Sequence, residues 1–158
     1  MQDYQLIIAA RIVHVLAVVA WIGGVAFVTT VLIPALMAIA EPERRLALFE
    51  EFEGRFGRQA KGTTLLAGLS GLYMLHALNA WERYLLLAYW WLHLMTLVWL
   101  IFTLVLFVLE PLFLHRWFRA RALRDSAGTF RLVHRLHVVL LALSLIAVLG
   151  GVAGAHGF

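Results

Sequence analysis

From Ile12 to Ala40 the chain carries no Asp, Glu, Lys or Arg. A charge-free stretch of that length exceeds the ~20 apolar residues a helix needs to cross a hydrocarbon core. Composition points the same way: 63% of the 158 residues are hydrophobic and 14% are charged, against roughly half and a quarter in ordinary soluble domains. The expected solvent is therefore a lipid bilayer.

Four such stretches follow one another, at about 6–35, 62–79, 84–109 and 132–155. They predict an all-α, integral membrane four-helix bundle forming a single transmembrane domain over residues 1–158, with no internal repeat. Tyr4, Trp81, Tyr84, Trp90, Trp91 and Trp117 flank the stretches and suit interfacial belts, whereas Trp21 and Trp99 lie deeper.

The positive charge is clustered. Arg44, Arg45, Arg55, Arg58 and Lys61 lie between the first two stretches, and Arg116, Arg119, Arg121, Arg124 and Arg131 between the last two. By the positive-inside rule both basic segments face the cytoplasm and both termini face the outer, periplasmic side. No basic residue precedes Arg11, which speaks against a cleaved signal peptide. A net charge of +4 distributed in this way reads as membrane topology, not as a nucleic-acid surface. Between residues 43 and 58, Phe49, Phe52 and Phe56 share one helical face, which predicts an amphipathic segment at the lipid headgroups.

There is no cysteine, so disulfides, thiolate metal sites and thiol catalysis are excluded. No Gly-rich phosphate loop, Ser/His/Asp set or paired carboxylates are evident. What remains is histidine. An ionisable side chain inside a bilayer is costly and tends to mark a cofactor, cavity or helix contact. His14 and His93 each lie about nine residues into helices that run in the same direction, ~14 Å below the outer surface at 1.5 Å per residue. His76 is closer to that surface. His137, entering from the cytoplasmic side, is expected within a few ångströms of the same level. Neutral imidazole is an axial ligand for haem iron, and bundle cores assemble such sites from facing side chains. The candidate ligands are His14, His93, His76 and His137. Trp21 would pack on the macrocycle, and Arg11, one turn before His14, either snorkels to the outer interface or balances a propionate. The small residues Ala17, Ala20, Gly23, Gly24, Gly62, Gly68, Ser70 and Gly71 either admit a ring or, as is usual in membranes, let helices approach closely. His134 and His137 share a face, which suits a second metal or haem position on the cytoplasmic side or, as is commoner, an interfacial histidine among arginines. His115 and His156 are interfacial or terminal, and Glu110 is expected to pair with nearby arginines.

The pattern His14-x6-Trp21-x-Gly23-Gly24 at the start of a first membrane helix resembles the copper-resistance D family. It is also similar to the related four-helix protoporphyrinogen IX oxidase-like superfamily of bacterial haem-b-binding membrane proteins. Phe52-Glu53-Gly54-Arg55-Phe56 resembles the Met-Glu-Lys-Arg-Leu stretch of the oxidase, and Trp91-Leu92-His93-Leu94-Met95 its Trp-Leu-His-Ile-Lys stretch. The resemblance implies haem ligation at His14 and His93. Two departures, Thr30 and Met95 in place of basic residues, count against protoporphyrinogen oxidation.

The leading expectation is a b-type cytochrome of the bacterial inner membrane with one haem b, or two, exchanging electrons with a quinol or a redox partner protein. Whether it is an oxidoreductase in its own right stays open, as does a homo-oligomeric state. Copper handling is the alternative cofactor reading, because imidazole and methionine sulfur both suit copper; the methionines are Met1, Met37, Met74 and Met95. A non-catalytic assembly subunit is the third reading.

Overall fold

A computed structural model describes residues 2–156, and every regular element in that range is helical. The first long helix comprises α1 (Gln2–Phe27), a π-helical segment (Val28–Leu32) and α2 (Ile33–Met37). Pro34 explains the change of hand-hold within it. Proline has no N–H and crowds the carbonyl a turn before. In the π register, where each N–H reaches back five residues, the carbonyl left without a partner is that of Thr29. His134 takes it instead, donating from Nε2 at 3.0 Å. Pro111 lies likewise inside a π-helical segment, Val105–Leu114.

After a short turn the chain enters α3 (Pro42–Ala77), a single helix of 36 residues, about 54 Å long at ~1.5 Å per residue. The amphipathic segment around 43–58 is therefore the first half of one continuous helix, α3, and not a separate helical piece. Phe49 turns inward and is buried, Phe56 is half-buried, and Phe52 is exposed. The far end of α3 stops at Asn79, whose φ of 48° is left-handed; Ala80 N then closes back on Leu75 O at 2.9 Å. This is the usual way a helix ends on an αL residue.

Two 3-10 turns, Trp81–Leu85 and Leu87–Tyr89, lead into α4 (Trp90–Leu104), so the third helix begins later than the apolar stretch at 84 suggests. It continues through the π segment into α5 (His115–Arg124), and only Asp125 separates that from α6 (Ser126–Ala155). The basic stretch expected to be a loop is thus almost wholly helical. The break falls at Asp125, whose carboxylate accepts from Gly128 N at 2.8 Å, a side-chain N-cap. A Cβ at Gly128 would overlap that carboxylate.

Helix α1 packs chiefly on α3 and α4 on α6, with lighter contacts joining the pairs into a four-helix bundle. Glycines set both seams. In the first, Gly24 faces the Phe56 ring; in the second, Gly150 and Gly154 face Trp90 and Trp91, and Gly151 faces Met95; Gly68 faces the Trp99 indole where α3 meets α4. Trp99 also donates from Nε1 to Thr64 O at 3.0 Å. Close approach over small residues is the normal packing device inside lipid, and that is the use these glycines have here.

The central core gathers Ala17, Trp21, Ile22, Val25, Ala67, Val98 and Phe102. A second core lies at the arginine-rich end, where Phe49, Phe118 and Phe130 meet with ring centroids 4.7–5.7 Å apart. Buried Arg45 spans this end, donating to Ile39 O and Ser126 Oγ beside the Phe130 ring. Three cross-helix pairs zip α3 to the third helix: Arg119 with Glu50 at 3.7 Å, His115 with Glu53 at 3.6 Å and Lys61 with Glu110 at 2.7 Å. Glu110 thus pairs with Lys61 and not with an arginine. Both basic segments share one end of the bundle; α1 begins and α6 ends at the other.

Three helical runs are long and apolar enough to cross a membrane: Tyr4–Met37, Leu87–Arg124 and Ser126–Gly154. The second half of α3 lies beside α1 in the same layer but is less apolar. Its Gly, Ser and Thr residues lower its hydropathy, and several of them face neighbouring helices, while Leu65, Leu66, Leu69 and Leu72 face outward.

Candidate functional site

The histidines differ in what their ring nitrogens do. His14 projects from α1 onto α3, where Nδ1 lies 2.9 Å from Ala67 O and 3.2 Å from Ser70 Oγ. Gly71 lies beside the ring: a Cβ there would sit 3.2 Å from His14 Cε1, close enough that the imidazole would have to shift by a few tenths of an ångström. With Nδ1 donating to the carbonyl, Nε2 keeps its lone pair and has no hydrogen-bond partner among the described residues. That is the arrangement by which a backbone carbonyl fixes the tautomer of a ligating histidine.

His93 is held differently. Its Nδ1 faces Tyr89 O at 3.1 Å and its Nε2 faces Tyr84 O at 3.0 Å. A neutral imidazole has one N–H and satisfies one of these carbonyls; an imidazolium satisfies both. Neither nitrogen is turned to a metal in this arrangement. The Tyr84 ring meets the imidazole edge-on at 5.4 Å, and the Tyr84 hydroxyl shares a 2.7 Å hydrogen bond with Thr96 Oγ1. His93 therefore ties the 3-10 connection to α4.

Helix α3 serves as a ruler for depth. His14 lies opposite Ala67 and Ser70, and Trp99 opposite Thr64 and Gly68. Because α4 runs antiparallel to α3, His93 falls within about one 5.4 Å turn of the level of His14. His137 does not. The His134–Thr29 bond fixes the register of α6 on the first helix, which leaves His137 roughly 18 Å from His14 along the axis at 1.5 Å rise. The depth expected for it measured inward from a helix start near 132, whereas α6 starts at Ser126 beneath a folded helical cap. His137 donates from Nδ1 to Val133 O at 2.9 Å, one turn earlier on its own helix, and its Nε2 is likewise without a partner among the described residues. His76 is exposed near the end of α3, and Arg11 is exposed one turn from His14.

Trp21 is 4% exposed and meets Phe102 edge-on, with centroids 4.9 Å apart and planes at 89°. Its Nε1, together with the hydroxyls of Thr64 and Thr103, is buried without a hydrogen-bond partner. Met95 covers Gly151 and Met74 is half-buried; Met1 lies outside the described residues. No group of three or more His, Asp or Glu among the described residues is placed to hold a metal ion.

Three participants left little mark in the sequence. The Ala67 carbonyl is backbone, Ser70 reads as one more small residue, and Tyr84 reads as an interfacial aromatic. Outside the spans, burial pushes the Glu53 carboxyl above its ordinary range, opposed by His115 and reinforced by Glu110 and Glu50. The resulting chemistry is that of a hydrophobic helical bundle with two imidazoles, His14 and His137, each anchored through Nδ1 and offering the other nitrogen, of which His14 lies near the level of His93. No family model, curated protein or solved structure matches the chain.

Proposed function

We propose that this chain is a multi-pass protein of the bacterial inner membrane that binds haem b through His14 and passes electrons between a quinol or other small reductant and a redox partner. In this reading the arginine-rich end faces the cytoplasm. The observation that carries it is the anchoring of His14: Nδ1 is committed to Ala67 O at 2.9 Å and Nε2 is left available inside an apolar bundle. The donor chemistry fits haem iron, which takes neutral imidazole. Two nitrogens would hold the iron. His93 is the nearest in depth, and it becomes available when the Tyr84 carbonyl is released from Nε2. His76, nearer the outer end, is the further candidate, and His137 with His134 would serve a separate haem in the other half of the bundle.

Bound haem supplies one-electron chemistry, while the protein sets its orientation and surroundings. Here the chain's part is to fix the His14 tautomer through Ala67 and Ser70 and to surround the site with apolar side chains. Trp21 adds a buried N–H. Arg11, exposed and one turn away, is positioned on the sequence to meet a carboxylate near the membrane surface. Seating a flat macrocycle beside His14 requires neighbouring side chains to move, Trp99 over Gly68 foremost.

Purified protein assayed by pyridine haemochrome and by metal analysis tests the proposal. Haem in stoichiometric amount supports it. Stoichiometric copper without haem moves the function to copper handling, and a stable protein with neither identifies a non-catalytic bundle.

A further inference from the structure

Helix α5 reads His115-Arg-Trp-Phe-Arg-Ala-Arg-Ala-Leu-Arg124 and contains no acidic residue. Its four arginines are not equivalent. Arg119 pairs with Glu50 at 3.7 Å, and Arg116 donates from Nη2 to Leu112 O at 3.2 Å. Arg121 and Arg124 have no acidic partner among the described residues. The Arg121 guanidinium lies over the Trp117 ring, 5.7 Å from its centroid. Trp117, Arg121 and Arg124 follow one another at i, i+4 and i+7 and so share a helix face. With Ala120 and Asp125 they line a cleft of about 360 Å³ at the α5–α6 junction.

Two features narrow what such a cleft takes. The first is position. The apolar part of the third helix gives way to the basic α5 at His115, and Leu112 and Phe113, just before that boundary, are 61% and 52% exposed. Trp117 lies about one turn past that boundary, a level that tryptophan favours, and Arg121 and Arg124 about 10–14 Å past it at ~1.5 Å per residue, on the headgroup side. The second is charge. Two guanidinium forks match phosphate oxygens, yet Asp125 places a carboxylate at the rim. One of its oxygens is committed to Gly128 N at 2.8 Å; its charge still disfavours a multiply charged anion. A phosphodiester carries a single negative charge, whereas a phosphate monoester carries about −1.5 to −2 at neutral pH.

We propose that the cleft formed by Trp117, Arg121 and Arg124 binds the phosphodiester headgroup of an anionic phospholipid from the leaflet at the arginine-rich end. The acyl chains lie along the exposed Phe113, one turn before Trp117 on the same face, and the headgroup bridges the two guanidinium groups. The site is independent of the haem reading, since it rests on the helix junction alone.

Native mass spectrometry of the intact protein from micelles containing equal phosphatidylcholine and phosphatidylglycerol tests it. Three proteins are compared: wild type, Arg121→Gln/Arg124→Gln, and Arg44→Gln/Arg58→Gln, the last an equal charge change at exposed arginines elsewhere on the same end. Phosphatidylglycerol adducts are expected on wild type and on the Arg44/Arg58 variant. Occupancy is expected to fall about tenfold or more in the Arg121/Arg124 variant, as loss of charge-assisted hydrogen bonds implies. Water-soluble glycerol phosphate and inorganic phosphate are expected not to displace the lipid. An equal fall in both variants means diffuse charge attraction and overturns the proposal. Unchanged adducts in the Arg121/Arg124 variant overturn it, as does displacement by free phosphate. All four positions are exposed, and the circular-dichroism melt of each variant confirms that the fold is retained.

Discussion

His14 and His93 sit at nearly the same depth, yet one is anchored through a single nitrogen and the other is engaged through both. Sequence places each near mid-helix and so marks both as costly polar groups. It carries no sign of the Ala67 carbonyl, because a backbone acceptor has no residue-specific signature. Gly71 is the part of the arrangement that a sequence shows without explaining. A larger residue there is expected to push the His14 ring off α3. Gly71→Val should therefore lower bound haem while leaving helix content intact, which absorbance and circular dichroism measure together. Ser70→Ala removes the weaker, 3.2 Å contact and should leave haem content close to wild type. Glu53 makes a separate residue-scale prediction. Its carboxyl holds a proton more firmly in the fold than in the unfolded chain, where 4.5 is the ordinary value. The folded state then binds more protons, so stability falls as pH rises through the elevated value and is fully present below the unfolded one. Glu53→Gln is expected to raise the melting temperature at neutral pH and to show no gain at acid pH. A melt series in detergent checks the sign.

At the scale of elements, the first, third and fourth apolar stretches were legible as long apolar helices because hydropathy needs only local composition, while the stretch at 62–79 is the less apolar second half of α3. Helix ends were not. Residues 43–58 carry charge and a phenylalanine stripe, which suits a surface helix as well as the buried start of α3; the choice is made by Phe118 and Phe130, far away in sequence. The basic stretch before 131 looks like a loop, yet α5 is helical to Arg124 because Asp125 caps the next helix. Pro34 announces an interruption, but only tertiary structure supplies His134 as the donor that repairs it. The repair is testable as a thermodynamic cycle. His134→Ala leaves a carbonyl without its partner, at a cost of about 1–3 kcal/mol. Pro34→Ala restores an N–H within the helix, so the double variant should recover part of that loss. Equal, additive losses by denaturant unfolding would contradict the account. Across the other seam, Gly154→Leu drives a side chain into the Trp91 indole. Overpacking of this kind costs about 1–3 kcal/mol, and a lowered melting temperature is the expected result.

For the whole molecule, the fold joins two differently built ends. One end is closed by a phenylalanine cluster, buried Arg45 and the ladder of pairs from Glu50 to Glu110. The other holds the His14–Ala67 contact and the His93 clasp on the 3-10 connection. The arginine asymmetry visible in the sequence is thus also a structural division, since both basic segments are folded onto the same end. Cysteine-labelling from the two sides of the membrane should find Arg58→Cys and Arg124→Cys accessible from the same side, and Leu78→Cys from the opposite one. The level of His137 was not legible, because counting inward from an assumed helix start misplaces a ring when the helix begins six residues earlier and its register is set by His134. That leaves His14 as the candidate ligand that both depth and hydrogen bonding favour. The most direct measurement is the reduced-minus-oxidised absorption spectrum of purified wild type beside His14→Ala, each normalised to protein. The account predicts a b-type signal in wild type that is lost in the variant. A folded His14→Ala protein retaining the full signal, or a wild type with no signal at all, would contradict it.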